Sequence, residues 1–342
     1  MRRLVGFVLV LTAVAMITTS CKREEDQKLA IGRFITATEQ RSRKFVYLDQ
    51  TRKVRTQVTG VVEDDFRYKT RLTVNGTPVE DEVTSDDALA VRFLAPDQLT
   101  NFLASPSLAA LGSSASGALS PILALETRRW VLDKSGAPQL LASATDRRKE
   151  GDDPVFDSLT ALQYVRRAVN LSVQVKKYKK DDVEPVYKEK EDPFPKPKAG
   201  SKVTRYDMRP PAMPKADARG ATGNQQTPGE SNFRKIAVYV RDGVIVEVRE
   251  VIDVASKLDD LIRIFKLPNK TTVDTAVFAI NAVRAGQGDD LVRVRNMSLQ
   301  FQDIGSDLKV ELPTEVVDGS LTILKFRGRQ PIAGTPTPTP QA

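Results

Sequence analysis

Between Arg52 and Leu94 the chain alternates apolar and polar residues through consecutive short runs. That period of two restricts the stretch to an antiparallel sheet with one dry face and one wet face. Val54, Thr56, Val58, Gly60 and Val62 alternate with Arg55, Gln57 and Thr59, and Phe66, Tyr68, Thr70, Leu72 and Val74 alternate with Arg67, Lys69, Arg71 and Thr73. Glu63-Asp64-Asp65 separates the two runs, and Asn75-Gly76 supplies the positive φ of a tight hairpin before Pro78 to Val83. A further run, Ala88 to Leu94, puts Leu89, Val91 and Phe93 on one face. The Arg and Lys of the polar face keep it solvated and oppose edge-to-edge pairing. The apolar face must be covered by helices, a second sheet or a ligand.

The chain has one cysteine, Cys21, and no histidine among its 342 residues. Intrachain disulfides, Cys-rich zinc sites and histidine-based catalytic triads are thereby excluded. Cys21 closes a leader: Arg2 and Arg3 form a basic start, Leu4 to Ile17 an uncharged apolar core, and Ile17-Thr18-Thr19-Ser20-Cys21 resembles a bacterial lipobox. The plain alternative is an incidental thiol in an ordinary secreted protein. The position of the cysteine, where processing exposes it as the new N-terminus, favours lipidation. Residues 1–20 are thus expected to be a lipoprotein signal peptide and 21–27 a lipidated tether, which places the protein on the extracytoplasmic face of the bacterial plasma membrane or, in a two-membrane cell, on the outer membrane. The net charge of +8 is dispersed among acids, and only 6% of residues are aromatic, so nucleic acid is not an expected partner.

Ile31, Phe34, Ile35, Thr38 and Phe45 recur at helical spacing, which predicts an amphipathic helix over Leu29 to Leu48. Ala95 to Pro121 is rich in Leu, Ala, Ser and Gly, with Leu99, Phe102 and Leu103 as apolar points; it reads as two short helices with a loop or as a lid. Arg128 to Leu132 is expected as a strand carrying Trp130. Asp153 and Pro154 start a helix whose inward stripe is Val155, Leu159, Leu162, Val165 and Val169, and Leu171 to Tyr178 follows as a strand. Residues 181–231 are rich in Pro, Lys, Asp and Gly and read as a surface insertion. Phe233 to Val240, Asp242-Gly243 and Val244 to Val251 form a hairpin, with Val238 and Val246 expected on one face. Helices are predicted at Ser256 to Phe265, from a capping box, and at Thr272 to Ala285, where Val273, Ala276, Val277, Ile280 and Val283 point inward. Strands are expected at Arg293 to Phe301, Leu308 to Leu312 and Leu321 to Phe326, and residues 331–342 form a Thr/Pro tail.

The ending Met297-Ser298-Leu299-Gln300-Phe301-Gln302-Asp303-Ile304-Gly305, with Val310, Pro313 and Val316-Val317 after it, resembles the closing strands of LppX/LprG-type bacterial lipoproteins, which are similar in fold to the carrier LolA. The order of parts is similar too: lipobox, helix, meander, mid-chain helices, further strands. The resemblance implies an α+β fold over residues 28–330, a strongly curved antiparallel half-barrel with helices packed on its concave face and a cavity for lipids or lipidated molecules. It supplies no catalytic residues or cofactor to carry over. The Pro-rich insertion departs from the family pattern.

No nucleophile elbow, phosphate-binding loop or metal-ligand spacing appears, so neither an enzyme nor a cofactor is expected. The clusters Glu63-Asp64-Asp65, Glu80-Asp81-Glu82 and Asp86-Asp87 read as charged hairpin ends. The expected function is binding or transport of lipid or lipidated molecules. Phe66, Tyr68, Leu72, Val74, Val91, Phe93, Val238, Val246 and Phe301 would line the cavity, and Leu99, Phe102 and Leu103 would help to close it. The alternative is an envelope interaction or sensory lipoprotein with a filled core and a protein partner.

Overall fold

The computed structural model describes residues 25–51, 54–64, 67–85, 88–95, 128–133, 154–170, 175–178, 202–213, 227–286 and 292–318. Cys21, Phe66, Leu99, Phe102 and Leu103, the expected strand Leu321 to Phe326 and the tail lie outside them. The fold is α+β, and its sheet is mixed and open rather than a closed barrel. The chain divides into two compact units, Met1–Ala37 with Tyr164–Arg295, and Thr38–Gln163 with Asn296–Ala342.

The second of these units is built on the meander. Strands β1 (Arg43–Thr51), β2 (Val54–Val62), β3 (Tyr68–Val74), β4 (Thr77–Ser85), β5 (Ala88–Phe93) and β6 (Trp130–Asp133) pair antiparallel in sequence order. Asn75 and Gly76, at φ 48° and 86°, make the expected β3–β4 turn. One face carries Tyr47, Val58, Val62, Tyr68, Leu72, Leu89, Val91, Phe93 and Val131, all buried. The other face is dry at one end only. There Val83, Ala88, Ala90 and Leu132 pack under Val310, with Val61, Trp130, Leu312 and Val316 around them.

Val310 arrives on an irregular strap rather than in the strand expected at Leu308 to Leu312. Its N–H donates to Glu63 Oε2 at 2.9 Å, a side-chain acceptor where a strand would have found a backbone carbonyl. Upstream, the Gly305 N–H donates to the Ser42 carbonyl at 2.8 Å. The strap leads from β11 (Arg295–Gln302), next to β1, to β12 (Val316–Asp318), which runs parallel to β6.

The first helix, α1, spans 25–39 and stops well short of Leu48. Phe45 to Leu48 belongs to β1, where Arg43, Phe45 and Tyr47 are buried at period two. Arg43 explains the stop: its Nη1 donates to the carbonyls of Thr38, Glu39 and Arg41 at 3.2, 3.0 and 2.9 Å, occupying acceptors at the helix end. The helical spacing of Phe45 with Ile31 and Ile35 is a coincidence of strand following helix.

Helix α2 (Pro154–Asn170) forms as expected, and Val155, Leu159, Leu162, Val165 and Val169 are buried. Its first half is buried on the polar positions as well, where Ser158 Oγ donates to the Val155 carbonyl and Thr160 Oγ1 to that of Phe156.

In the other unit β7 (Val175–Tyr178), β8 (Thr204–Met208), β9 (Arg234–Arg241) and β10 (Val244–Ile252) are consecutive neighbours. β8 corrects the reading of 181–231 as a pure insertion. Tyr206 and Met208 face one way, while Arg205 and Asp207 are equally buried on the other side and pair at 2.9 Å. Charges that neutralise each other hid a strand from composition. Phe34 of α1 meets Tyr206 with ring centroids 5.9 Å apart.

Helices α3 (Leu258–Phe265) and α4 (Val273–Ala285) close a cluster of their own. In it Leu261, Ala276, Val277 and Ile280 pack with Phe233, Ile252, Val254 and Val292. The expected start of α3 at Ser256 is corrected. A turn of 3₁₀-helix precedes it, and Asp253 accepts the Ser256 N–H at 3.1 Å. α4 begins as expected, with the Thr272 side chain accepting from the Thr275 N–H, but Val283 is 41% exposed.

Candidate functional site

The inner face of the meander brings together Tyr68, Leu72, Val91 and Phe93, four of the residues expected to line a cavity, and buries all of them. Val74 shares the face, half-buried beside the hairpin turn. Phe301 on β11 is buried with the Arg43 guanidinium 5.8 Å from its ring centre, which puts it on the same side. Val238 and Val246 belong to the other unit and face apart. Pairing passes from Ile245↔Val240 to Glu247↔Tyr239, and the bulge leaves Val246 packed with Ala237 and Tyr239 while Val238 stays on the opposite face.

The main correction concerns Glu80-Asp81-Glu82. They are not a hairpin end; they lie in the middle of β4 at 7%, 3% and 0% exposure. Val74↔Thr77 and Thr73↔Pro78 start the β3–β4 ladder in turn register, but Leu72 then pairs with Glu80, so Val79 is an extra residue. One inserted residue exchanges the faces of everything after it. Glu80 and Glu82 therefore point inward among the apolar residues, and Asp81 points outward. Tyr68 Oη donates to Glu82 Oε1 at 2.7 Å. On the same rung Thr70, 2% exposed, has a hydroxyl with no hydrogen-bond partner.

On the outer face Asp81 holds two guanidinium groups. Arg71 donates from Nε at 2.7 Å and Nη2 at 3.0 Å, and Arg92 donates from Nη2. The Arg92 guanidinium also lies 4.6 Å from the centre of the Trp130 ring. Beside this cluster is a groove of about 450 Å³ whose lining includes Lys44, Val46, Thr59, Val61, Lys69, Arg71, Gln302 and Asp81 itself. Among the described residues no group of three or more Cys, Asp or Glu is placed to hold a metal ion.

A scan against protein-family profiles and a search of curated proteins return no match to this sequence. Function therefore rests on the geometry. No described helix is long and apolar enough to cross a membrane.

Burial alone would raise the carboxyl of Asp81, but the hydrogen bonds and charges of Arg71 and Arg92 outweigh it and hold the group below the usual aspartate range. Asp253 behaves likewise, with burial overcome by the Ser256 N–H and hydroxyl and by Lys235, whose Nζ lies 3.2 Å away. A lowered carboxyl contributes stability that is complete above the unfolded value, about 3.9, and is lost as pH falls through the folded one. Urea midpoints are expected to hold from pH 6 to about 4.5 and to decline below about 4, with a shallower decline in Asp81→Asn. A midpoint unchanged between pH 5 and pH 3 contradicts this account.

Proposed function

We propose that the protein is a non-enzymatic, extracytoplasmic lipoprotein, anchored through Cys21, that binds lipid or lipidated molecules on the inner face of its β1–β6 sheet. The observation that carries the reading is the composition of that face: a broad apolar surface of Val58, Leu72, Val91 and Phe93 with a short polar row, Thr70, Glu80 and Glu82, set into it. An amphiphile fits such a surface, its chains against the apolar residues and its polar linkage near the row. Each methylene transferred from water contributes about 0.8 kcal/mol, so chains alone supply affinity. The unpartnered Thr70 hydroxyl is one hydrogen-bonding group available to the polar part.

A second reading has its own support. The first half of α2 is buried nearly all round, from Val155 to Leu162, as in a helix enclosed by a solid interior. A filled core would leave an envelope protein whose ligand is another protein.

Organic extraction of the full-length purified protein followed by mass spectrometry separates the two. Stoichiometric non-covalent lipid is expected in the parent, and its loss in Val74→Asp, at a half-buried position of the same face. Parent protein without lipid, or a folded Val74→Asp that retains it, overturns the carrier reading. The same spectra report the N-terminus: a chain beginning at diacylglyceryl-modified Cys21 is expected, and one retaining Met1 removes the anchor.

A further inference from the structure

We infer that the groove on the outer face of β1–β3 is a binding site for a phosphate group. It lies on the side of the sheet away from the proposed lipid surface and stands independently of that proposal. Its cations are placed by register. Lys44, Val61 and Lys69 occupy one rung across three strands, and Val46, Thr59, Arg71 and Asp81 the next. Lys44 on β1 and Lys69 and Arg71 on β3 thus flank a floor of Val46, Thr59 and Val61 from either side of β2.

The charges are unequally committed. Lys44 shares its charge with Asp303 at 2.7 Å, each side chain about half exposed. Arg71 gives Nε and Nη2 to Asp81, and its Nη1 has no partner among the described residues. Lys69 is exposed and makes no ion pair among the described residues. Asp81 is the fixed part, 3% exposed and shared between Arg71 and Arg92, so one carboxylate orients two guanidinium groups and leaves a net positive charge there. An oriented guanidinium edge, the exposed Lys69 ammonium and the Thr59 hydroxyl form a donor set for a group with several acceptor oxygens and up to two negative charges. A tetrahedral phosphate, with oxygens on several sides, matches that set better than a planar carboxylate. The volume, about 450 Å³, leaves room for the substituent of a phosphate ester.

The phosphate can come from a lipid headgroup or be free in solution, and calorimetry on the full-length protein in neutral detergent distinguishes the sources. The probes are inorganic phosphate, dihexanoyl phosphatidylglycerol and, as a phosphate-free control, dihexanoylglycerol. Saturable one-to-one binding of inorganic phosphate is expected, weakening as salt rises and at least tenfold weaker in Lys69→Gln. That exposed position leaves folding unchanged, and Lys44→Gln should give a smaller loss because Asp303 already shares the charge. Tighter binding of phosphatidylglycerol than of phosphate, also lost in Lys69→Gln, identifies a headgroup; equal or weaker binding identifies a soluble phosphate. The proposal is overturned by the absence of saturable binding of either probe, by acetate binding as tightly as phosphate, or by an affinity unaffected by Lys69→Gln. Binding of phosphatidylglycerol and dihexanoylglycerol alike, insensitive to Lys69→Gln, would report the inner face and count against the groove.

Discussion

Gly60→Ala is expected to lower the unfolding free energy by about 2–3 kcal/mol, the cost of overpacking a rigid site. A Cβ there would lie 2.5 and 2.6 Å from Cε1 and Cζ of Phe45 and 2.8 Å from the Lys69 carbonyl oxygen. Gly60 pairs with Phe45 on β1 and Thr70 on β3, and the Phe45 ring lies over it, filling the place of the missing side chain. The ring is itself buried, and the carbonyl belongs to β3 and moves only with its strand. Urea unfolding reads the loss as a lower midpoint at constant slope. Phe45→Leu combined with Gly60→Ala should recover part of it, and a midpoint unmoved by Gly60→Ala would show that the strands separate freely here.

The second large effect is expected at Asp81. Asp81→Ala removes the buried partner of two arginines and should cost about 3 kcal/mol, the low end for breaking a buried pair, because the stranded charges are partly solvated. The Arg71 and Arg92 side chains are 53% and 30% exposed. Arg71→Ala, which leaves Arg92 on the carboxylate, should cost no more than about 1 kcal/mol. A double-mutant cycle tests the asymmetry: equal losses for the two substitutions would mean that Asp81 is not the organising member.

Much of the sheet was legible because its signals are local. Alternation at Val58, Val62, Tyr68, Leu72, Val91 and Phe93 predicted a buried face, and Asn75-Gly76 and Asp242-Gly243 predicted hairpins that form with positive φ. Features set by distant or subtle balances were not legible. Val79 looks like any strand valine, yet as a bulge it turns Glu80 and Glu82 inward, so the polar row of the candidate site had no local signature. The strand around Tyr206 was masked by Arg205 and Asp207, whose charges cancel only once folded. Glu63 read as a turn acid because its bond to the Val310 N–H joins residues 247 positions apart. The groove was half visible: Lys69 and Arg71 were seen as a solvated face, but their convergence with Lys44 requires the β1–β2–β3 register, and β1 as far as Leu48 was read as helix.

The returning strap also ties the far end of the chain to the edges of the meander. The β1–β5 meander joins neighbours in sequence and can form while later residues are still unpaired, since closing short loops costs little entropy. β11 and β12 come from the far end of the chain, as does Val310, which completes the cover over Ala88 and Ala90. Until those residues arrive, β1 and β6 present unpaired backbone and the hydrophobic patch beside β6 is bare. A meander lacking its C-terminal segment would therefore be adhesive, because that one segment covers two strand edges and one apolar surface together.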